Sequence, residues 1–139
     1  MEFETSVEID APRERVWSIM VDVDQWPAWN PTTTKVERLG GPLATDAEVR
    51  IKQPKLRAAV WKVTEFVAGT SFVWRSEQPG VMTVGTHAIG AATGDRVTVT
   101  LGIRQSGTMA PVIGLFASGL IRRYVETEAA SLKERCEGA

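Results

Sequence analysis

Short stretches of alternating apolar and polar residues fill most of this chain and limit its possible folds more than any other feature. Residues 2–9 alternate, with Phe3, Val7 and Ile9 on the apolar side. Six further stretches follow, at residues 32–39, 46–53, 56–67, 71–77, 81–92 and 96–105. Alternation of this kind predicts β-strands with one buried face. Because turn-sized connections separate the six later stretches, we predict that those six form an antiparallel meander.

Two short helices are predicted between the first strand and the second. After Pro12, apolar residues recur at helical spacing from Val16 to Val23. Residues 24–29 suit a second short helix, since the prolines around them prevent a longer one.

The C-terminal region is predicted to form one long helix, from Met109 or Ala110 to about Arg135. The apolar stripe predicted for its inner face comprises Val112, Ile113, Phe116, Leu120, Tyr124 and Leu132. No other element is long enough to cover the apolar face of the sheet. A curved sheet around a single helix is difficult to fill completely, so we predict a cavity between the two.

The composition and charge exclude several classes of function. With 139 residues the chain has room for one domain, over residues 1–139. Its 16 basic and 17 acidic residues give a net charge of −1, so nucleic acid is not an expected partner. Cys136 is the only cysteine and His87 the only histidine, which excludes a disulfide framework and the common metal motifs. We expect neither a metal nor a cofactor.

No segment is expected to target the protein or to anchor it in a membrane. The first residues lack the basic and apolar regions of a signal peptide. The longest apolar run, near residues 112–121, is too short for a membrane span. We therefore expect a cytoplasmic protein that is a monomer or a homodimer.

The N-terminal region resembles a known superfamily. Residues 7–17 (VEIDAPRERVW) and 22–31 (DVDQWPAWNP) are similar to the polyketide cyclase/dehydrase-like branch of the START-like (SRPBCC) superfamily. The resemblance implies an α+β helix-grip fold, in which a seven-stranded antiparallel curved sheet wraps around a long C-terminal helix, with two short helices between strands 1 and 2. It also implies a central cavity that binds lipids, sterols, polyketides or hormones. No catalytic residue of the superfamily's cyclases can be matched to a position here.

Aromatic residues are the first candidates for lining such a cavity. Trp26, Trp29 and Asn30 are predicted to form a lid at its mouth; the alternative is that the two tryptophans close the end of the core and Asn30 satisfies turn backbone. On the strands and the long helix, the candidates for ligand contact are Trp61, Val63, Phe72, Trp74, Phe116 and Leu120. The alternative for these residues is plain packing.

His87 is the only candidate for acid–base chemistry that the sequence singles out. The ordinary pKa of histidine suits a general acid or base in the enolisation or dehydration of a carbonyl compound. The two faces of residues 81–92 are not distinguished by their pattern, so three roles remain open: a catalytic group, a polar contact to a ligand, or a structural or exposed residue. Glu65 is the one strand acid that shares a predicted inner face, with Trp61 and Val63; the alternative, which is favoured, is that it lies near the strand end, solvated or paired with an arginine.

The function that the sequence favours is binding or transport of a small hydrophobic or amphipathic ligand that is lipid-, isoprenoid- or polyketide-like. The first alternative is an enzyme using the same cavity, a polyketide cyclase, aromatase or dehydratase acting as a lyase or isomerase. The second alternative is a protein-interaction module. An inward His87 with an acidic or tyrosine partner would favour the enzyme. An apolar cavity without paired polar groups would favour the carrier. A filled core with exposed tryptophans would favour the interaction module.

Overall fold

The computed structural model describes residues 1–138, which form a curved sheet and a long helix packed on its concave face. In chain order the elements are β1 (Glu2–Ile9), α1 (Arg13–Val21), a 3-10 turn (Val23–Gln25), α2 (Trp26–Trp29), β2 (Lys35–Arg38), β3 (Glu48–Lys52), β4 (Ala59–Val67), β5 (Ser71–Gln78), β6 (Val81–Thr93), β7 (Arg96–Ser106) and α3 (Ala110–Glu137). The predicted α+β helix-grip architecture is confirmed.

The sheet has seven strands in the order β1-β7-β6-β5-β4-β3-β2, and every neighbouring pair is antiparallel. Strands β2 to β7 form the predicted meander, and β1 pairs with β7 over its whole length. Register shifts interrupt the pairing between Val63 and Glu65 on β4 and between Ile89 and Ala92 on β6. Such bulges bend strands and increase their twist, which helps the sheet to curve around α3.

Three strands are shorter than predicted: β3 spans Glu48–Lys52 rather than residues 46–53, and the first predicted residues of β2 and β4 belong to turns. β2 begins at Lys35 rather than at residue 32, since the Thr32 backbone N–H and hydroxyl both donate to Asn30 Oδ1. β4 begins at Ala59 rather than at residue 56, because Lys55 has a φ of 66° and the chain turns there. The loop between β3 and β4, residues 53–58, is therefore longer than the sequence indicated.

Helix α3 is held at both ends. Near its C-terminus, Arg15 Nε donates to the Cys136 carbonyl at 2.7 Å, and Lys133 Nζ donates to the Glu8 carbonyl at 2.7 Å. Near its N-terminus, the Met109 N–H donates to the Gly80 carbonyl at 2.7 Å. These contacts fix the helix across the sheet from the β5–β6 turn to the end of β1.

The hydrophobic core fills one end of the space between sheet and helix. It is built from buried side chains of β1, α1, β3 to β7 and α3, including Ile9, Val16, Met20, Ile89, Val97, Val99, Ala129 and Leu132. The other end, toward the β5–β6 turn, is not filled. Within residues 1–138, no helix is both long and apolar enough to cross a membrane.

Candidate ligand-binding cavity

A cavity of about 420 Å³ lies between the inner face of the sheet and α3. Its walls come from β3 to β7, from the loop at residues 53–57, from Trp26 and Thr33, and from the inward face of α3. The predicted cavity is therefore present. A volume of this size is typical of sites for small organic molecules.

Three tryptophans form one wall of the cavity. The Trp74 ring centroid lies 5.5 Å from that of Trp26 and 5.7 Å from that of Trp61. Trp74 is directly opposite Gly85 on β6, and its Nε1 lies 2.9 Å from the position that a Cβ at Gly85 would occupy. The glycine thus leaves room for the indole ring, which a larger residue would displace.

His87 points inward beside this wall. Side chains alternate along β6, so His87 shares the inner face with Gly85 and Ile89. Its ring stacks on Phe72, with centroids 4.1 Å apart, and only 5% of the residue is exposed. Burial lowers the pKa of His87 to about 4, against a smaller upward effect of the Phe72 backbone. The imidazole is therefore neutral at neutral pH, and its buried Nδ1 has no hydrogen-bond partner among the described residues.

Glu128 is the acidic group of the cavity, and the sequence analysis did not identify it. It lies on α3 on the same face as Ile121, Tyr124 and Val125, and all four residues line the cavity. Burial raises the pKa of Glu128 to about 7. Within residues 1–138 no cation forms a salt bridge with its carboxyl group. The spacing of Glu128 after Ile121 and Tyr124 does indicate that it shares their face of the helix. It was not singled out because an acidic residue on a long helix is usually solvated.

Two cationic side chains lie on the β3–β4 loop at the edge of the cavity. Lys55 and Arg57 are exposed, and both contribute to the cavity lining. The loop is attached to α3 by the Tyr124 hydroxyl, which donates to the Pro54 carbonyl. The cavity therefore has an apolar wall, a small number of polar groups and a cationic edge.

The structure brings four of the ten predicted ligand-contact residues together. Trp26, Trp61, Trp74 and His87 line the cavity. Val63 and Phe72 are fully buried in the core behind this wall and do not line the cavity.

The rest of the predicted lid lies away from the cavity. Trp29 is half-buried beside a shallow depression that α1 and the end of α3 form. Asn30 is buried, and its side chain organises the turn before β2. Neither residue is among those that line the cavity, so the structural alternative describes their positions better.

Phe116 and Leu120 do not occupy the positions predicted for ligand contact. Phe116 is 83% exposed, and neither residue lines the cavity. Ile113, Tyr124 and Leu132 of the predicted stripe do face inward, whereas Val112 is exposed, and Ala117 and Ile121 complete the inward face instead. The first half of α3 is apolar on both sides, so its sequence pattern could not indicate which side is buried.

Glu65 does not reach the interior. The register shift between Val63 and Glu65 turns Phe66 inward and opposite Phe72, and Glu65 is exposed. The bulge also explains why a strict alternation along β4 misplaces this residue. Within residues 1–138, no cluster of three or more histidine, cysteine or carboxylate groups is arranged to hold a metal ion.

Comparisons with solved structures define the class of fold. A hypothetical protein from Helicobacter pylori superposes with a TM-score of 0.85 at 14% identity, covering 98% of this chain and 88% of that one. The Zhui aromatase/cyclase from Streptomyces sp. R1128 gives 0.80 at 17% identity, covering 99% and 93%. A START superfamily protein from Mycobacterium smegmatis gives 0.76 at 17% identity, covering 98% and 97%. The fold is thus START-like.

The family is shown by the sequence itself. Residues 1–137 match the family model described as polyketide cyclase / dehydrase and lipid transport. The chain belongs to this family, and the resemblance noted in its N-terminal region is confirmed. No curated protein matches the chain in sequence.

Proposed function

We propose that this protein binds a small apolar or amphipathic molecule in the cavity between the sheet and α3. The observation that carries the proposal is an unfilled space of about 420 Å³ beside a wall of three tryptophans in an otherwise well-packed core. Burial of apolar ligand surface in such a space is favourable by about 25 cal/mol per Å². Membership of a family that includes lipid transport supports the same function.

The arrangement of polar groups supports a carrier. His87 is inward, but its Nδ1 has no hydrogen-bond partner among residues 1–138, and no salt bridge pairs Glu128. An interaction module would be expected to expose its tryptophans, but Trp26 is buried. Isolated polar groups in an apolar cavity serve to orient a bound molecule.

Filling the cavity tests the proposal. The fluorescent probe 1-anilinonaphthalene-8-sulfonate is added to the native protein and to Ala117→Phe, which places a ring in the cavity. Ala130→Phe, on the exposed side of α3, is the matched control. We expect saturable binding to the native protein and the control, and at least about tenfold weaker binding to Ala117→Phe, because the ring occupies part of the space that the probe needs. Equal binding to all three proteins, with thermal unfolding showing each to be folded, would contradict the proposal.

An acid–base enzyme using the same cavity is a second candidate, because the cavity holds two groups with displaced pKa values. The pKa of Glu128 is raised to about 7, which suits a general base near neutral pH. The pKa of His87 is lowered to about 4, which makes it a neutral hydrogen-bonding group rather than a base. Two groups with pKa values displaced in opposite directions are typical of a catalytic pair. In such an enzyme, the Glu128 carboxylate would remove a proton next to a ligand carbonyl, and His87 would contact the resulting enolate.

Hydrogen exchange at a simple ketone tests this second candidate. 2-Tetralone is incubated with the protein in D₂O, and loss of its proton signals beside the carbonyl is followed by NMR. A catalyst would remove a proton to Glu128 and return a deuteron from the same group. We expect exchange above the buffer rate for the native protein and the buffer rate for Glu128→Gln. An exchange rate that Glu128→Gln leaves unchanged would rule out this role for Glu128.

A further inference from the structure

A row of uncharged polar side chains crosses the inner face of the sheet. Ser76 on β5 is directly opposite Thr83 on β6, and Thr83 is directly opposite Gln105 on β7. All three residues line the cavity. Strands lie about 4.8 Å apart, so the three positions span roughly 10 Å. We call these three residues the polar row.

The polar row lies next to apolar lining. Two residues further along the same strands, Trp74, Gly85 and Ile103 form the neighbouring row on the inner face. Trp61 of β4 lines the cavity beside them. A molecule lying on Trp74 and Ile103 would therefore have one edge at the polar row.

The hydrogen bonds of the polar row are incomplete within the protein. Only 5% of Ser76 is exposed. Gln105 Nε2 donates to Thr83 Oγ1 over a long 3.4 Å. Gln105 Oε1 is buried and has no partner in residues 1–138. Buried polar groups in folded proteins normally have partners, so this row is suited to receive one from a ligand.

The chemistry of the row defines the ligand group. Two hydroxyls and one carboxamide provide both donors and acceptors but no charge. Without a cation or an anion in the row, an ionised group placed there would lose its hydration without gaining a counterion. A hydroxyl or carbonyl group fits these partners.

We propose that the polar row binds an uncharged hydroxyl or carbonyl group of a ligand whose apolar body lies on Trp74 and Ile103. The proposal rests on the binding function proposed above and specifies its substrate class as a neutral, oxygen-bearing apolar molecule. In this orientation the oxygen-bearing group of the ligand lies at the polar row. An ionised lipid would instead place its head group outside the row, beside Lys55 and Arg57 at the cavity edge.

Competition with simple probes tests this substrate class. Naphthalene, 2-naphthol and 2-naphthoate are compared at pH 7 as competitors of 1-anilinonaphthalene-8-sulfonate on the native protein. These probes share one apolar body and differ in carrying no polar group, a neutral hydroxyl or an ionised carboxylate. A single new hydrogen bond corresponds to about fivefold in affinity, so we expect 2-naphthol to bind at least about fivefold more tightly than naphthalene. We also expect 2-naphthol to bind more tightly than 2-naphthoate.

Shape-conserving variants locate the effect. Thr83→Val and Gln105→Leu should each reduce the preference for 2-naphthol over naphthalene, while leaving the affinity for naphthalene within about twofold. Thr98→Val on β7 is the matched control, since its side chain lies on the outer face of the sheet and should change neither affinity.

The outcomes separate the two proposals. Absence of fluorescent-probe binding to the native protein would overturn the proposed function and this inference with it. Probe binding with equal competition by naphthalene and 2-naphthol, or with stronger competition by 2-naphthoate, would overturn only the inference. The comparison of the three competitors uses the native protein alone, so it stands even where a variant fails to fold.

Discussion

At the scale of single residues, the cavity places two titratable groups in apolar surroundings, and their effects on stability oppose each other. Burial lowers the pKa of His87 and raises that of Glu128. In each case the neutral form is favoured in the folded state because the charged form would lose its hydration. Each group therefore contributes a pH dependence to stability that the other offsets.

Replacing Glu128 by glutamine exposes one of these contributions. The pKa of Glu128 is raised from 4.5 to about 7, so the folded state keeps a proton that the unfolded chain releases, and the fold loses stability as the pH rises through this range. Glu128→Gln does not titrate. We therefore expect its unfolding free energy, relative to that of the native protein, to increase by up to about 3 kcal/mol between about pH 4.5 and pH 8. Urea unfolding at several pH values measures this difference, and a constant difference would contradict the assignment.

Replacing His87 by glutamine should have the opposite effect. The pKa of His87 is lowered from 6.5 to about 4, so the unfolded chain binds a proton below pH 6.5 that the folded state refuses. The stabilising contribution is complete above pH 6.5 and is lost as the pH falls to about 4. The native protein should thus lose up to about 3 kcal/mol relative to His87→Gln when the pH is lowered from 7 to about 4. The same urea titrations measure this difference. If the unfolding free energies of the two proteins change equally with pH, His87 is not buried as described.

For single residues, the strand pattern predicted some inward-facing side chains but not others. Phe72 and Trp74 share a predicted face, and the structure confirms that both point inward. His87 could not be placed from its own strand, since small and apolar residues occupy both faces of β6. Its position follows from pairing with Phe72, a long-range relation that no local pattern contains.

At the scale of elements, helix α3 was predicted in extent but not in orientation. The helix is confirmed to within a few residues of its predicted bounds. Its buried face differs because the first half carries apolar side chains on both sides, leaving Leu115 and Phe116 exposed. Hydrogen bonds to Gly80 at one end and to Arg15 at the other hold the helix in its observed orientation.

Two glycines near and within α3 should respond oppositely to the same substitution. Gly119 lies within the helix with open space where a Cβ would be, so Gly119→Ala should stabilise the protein by roughly 0.5–1 kcal/mol. Gly107 precedes the helix with a φ of 108°, and a Cβ there would lie 2.5 Å from the Gly80 carbonyl oxygen. Gly107→Ala should therefore destabilise the protein, by more than about 1 kcal/mol. Thermal unfolding of the two variants compares the effects, and an equal shift in the same direction would show that the start of α3 is not built as described.

For the strands too, local sequence patterns predict some features, while others depend on long-range pairing. Their number and order along the chain follow from alternation and turn residues, whereas the pairing of β1 with β7, which adds β1 as an edge strand, was not predicted. The bulge on β4 could not be predicted, because it depends on how β4 pairs with β5. That bulge places Glu65 on the exposed side of β4, whereas strict alternation would place it on the inner face with Val63.

At the scale of the whole molecule, the structure is a well-packed core at one end and a cavity at the other. The sequence predicted the cavity from the mismatch between a curved sheet and a single helix, and it predicted most of the tryptophan wall. It did not predict the polar row or Glu128, because each depends on which strand or helix faces meet across the interior. Ligand binding by this protein requires that the cavity be accessible to an apolar molecule.

Solution NMR with naphthalene tests that claim most directly. Intermolecular nuclear Overhauser effects report which methyl groups lie within a few ångströms of the bound ring. We predict contacts to the methyl groups of Ile103, Ala117 and Ile121, which line the cavity, and none to those of Val112 and Leu115 on the exposed side of α3. Contacts confined to Val112 and Leu115, or no contacts at a saturating concentration of naphthalene, would contradict the account.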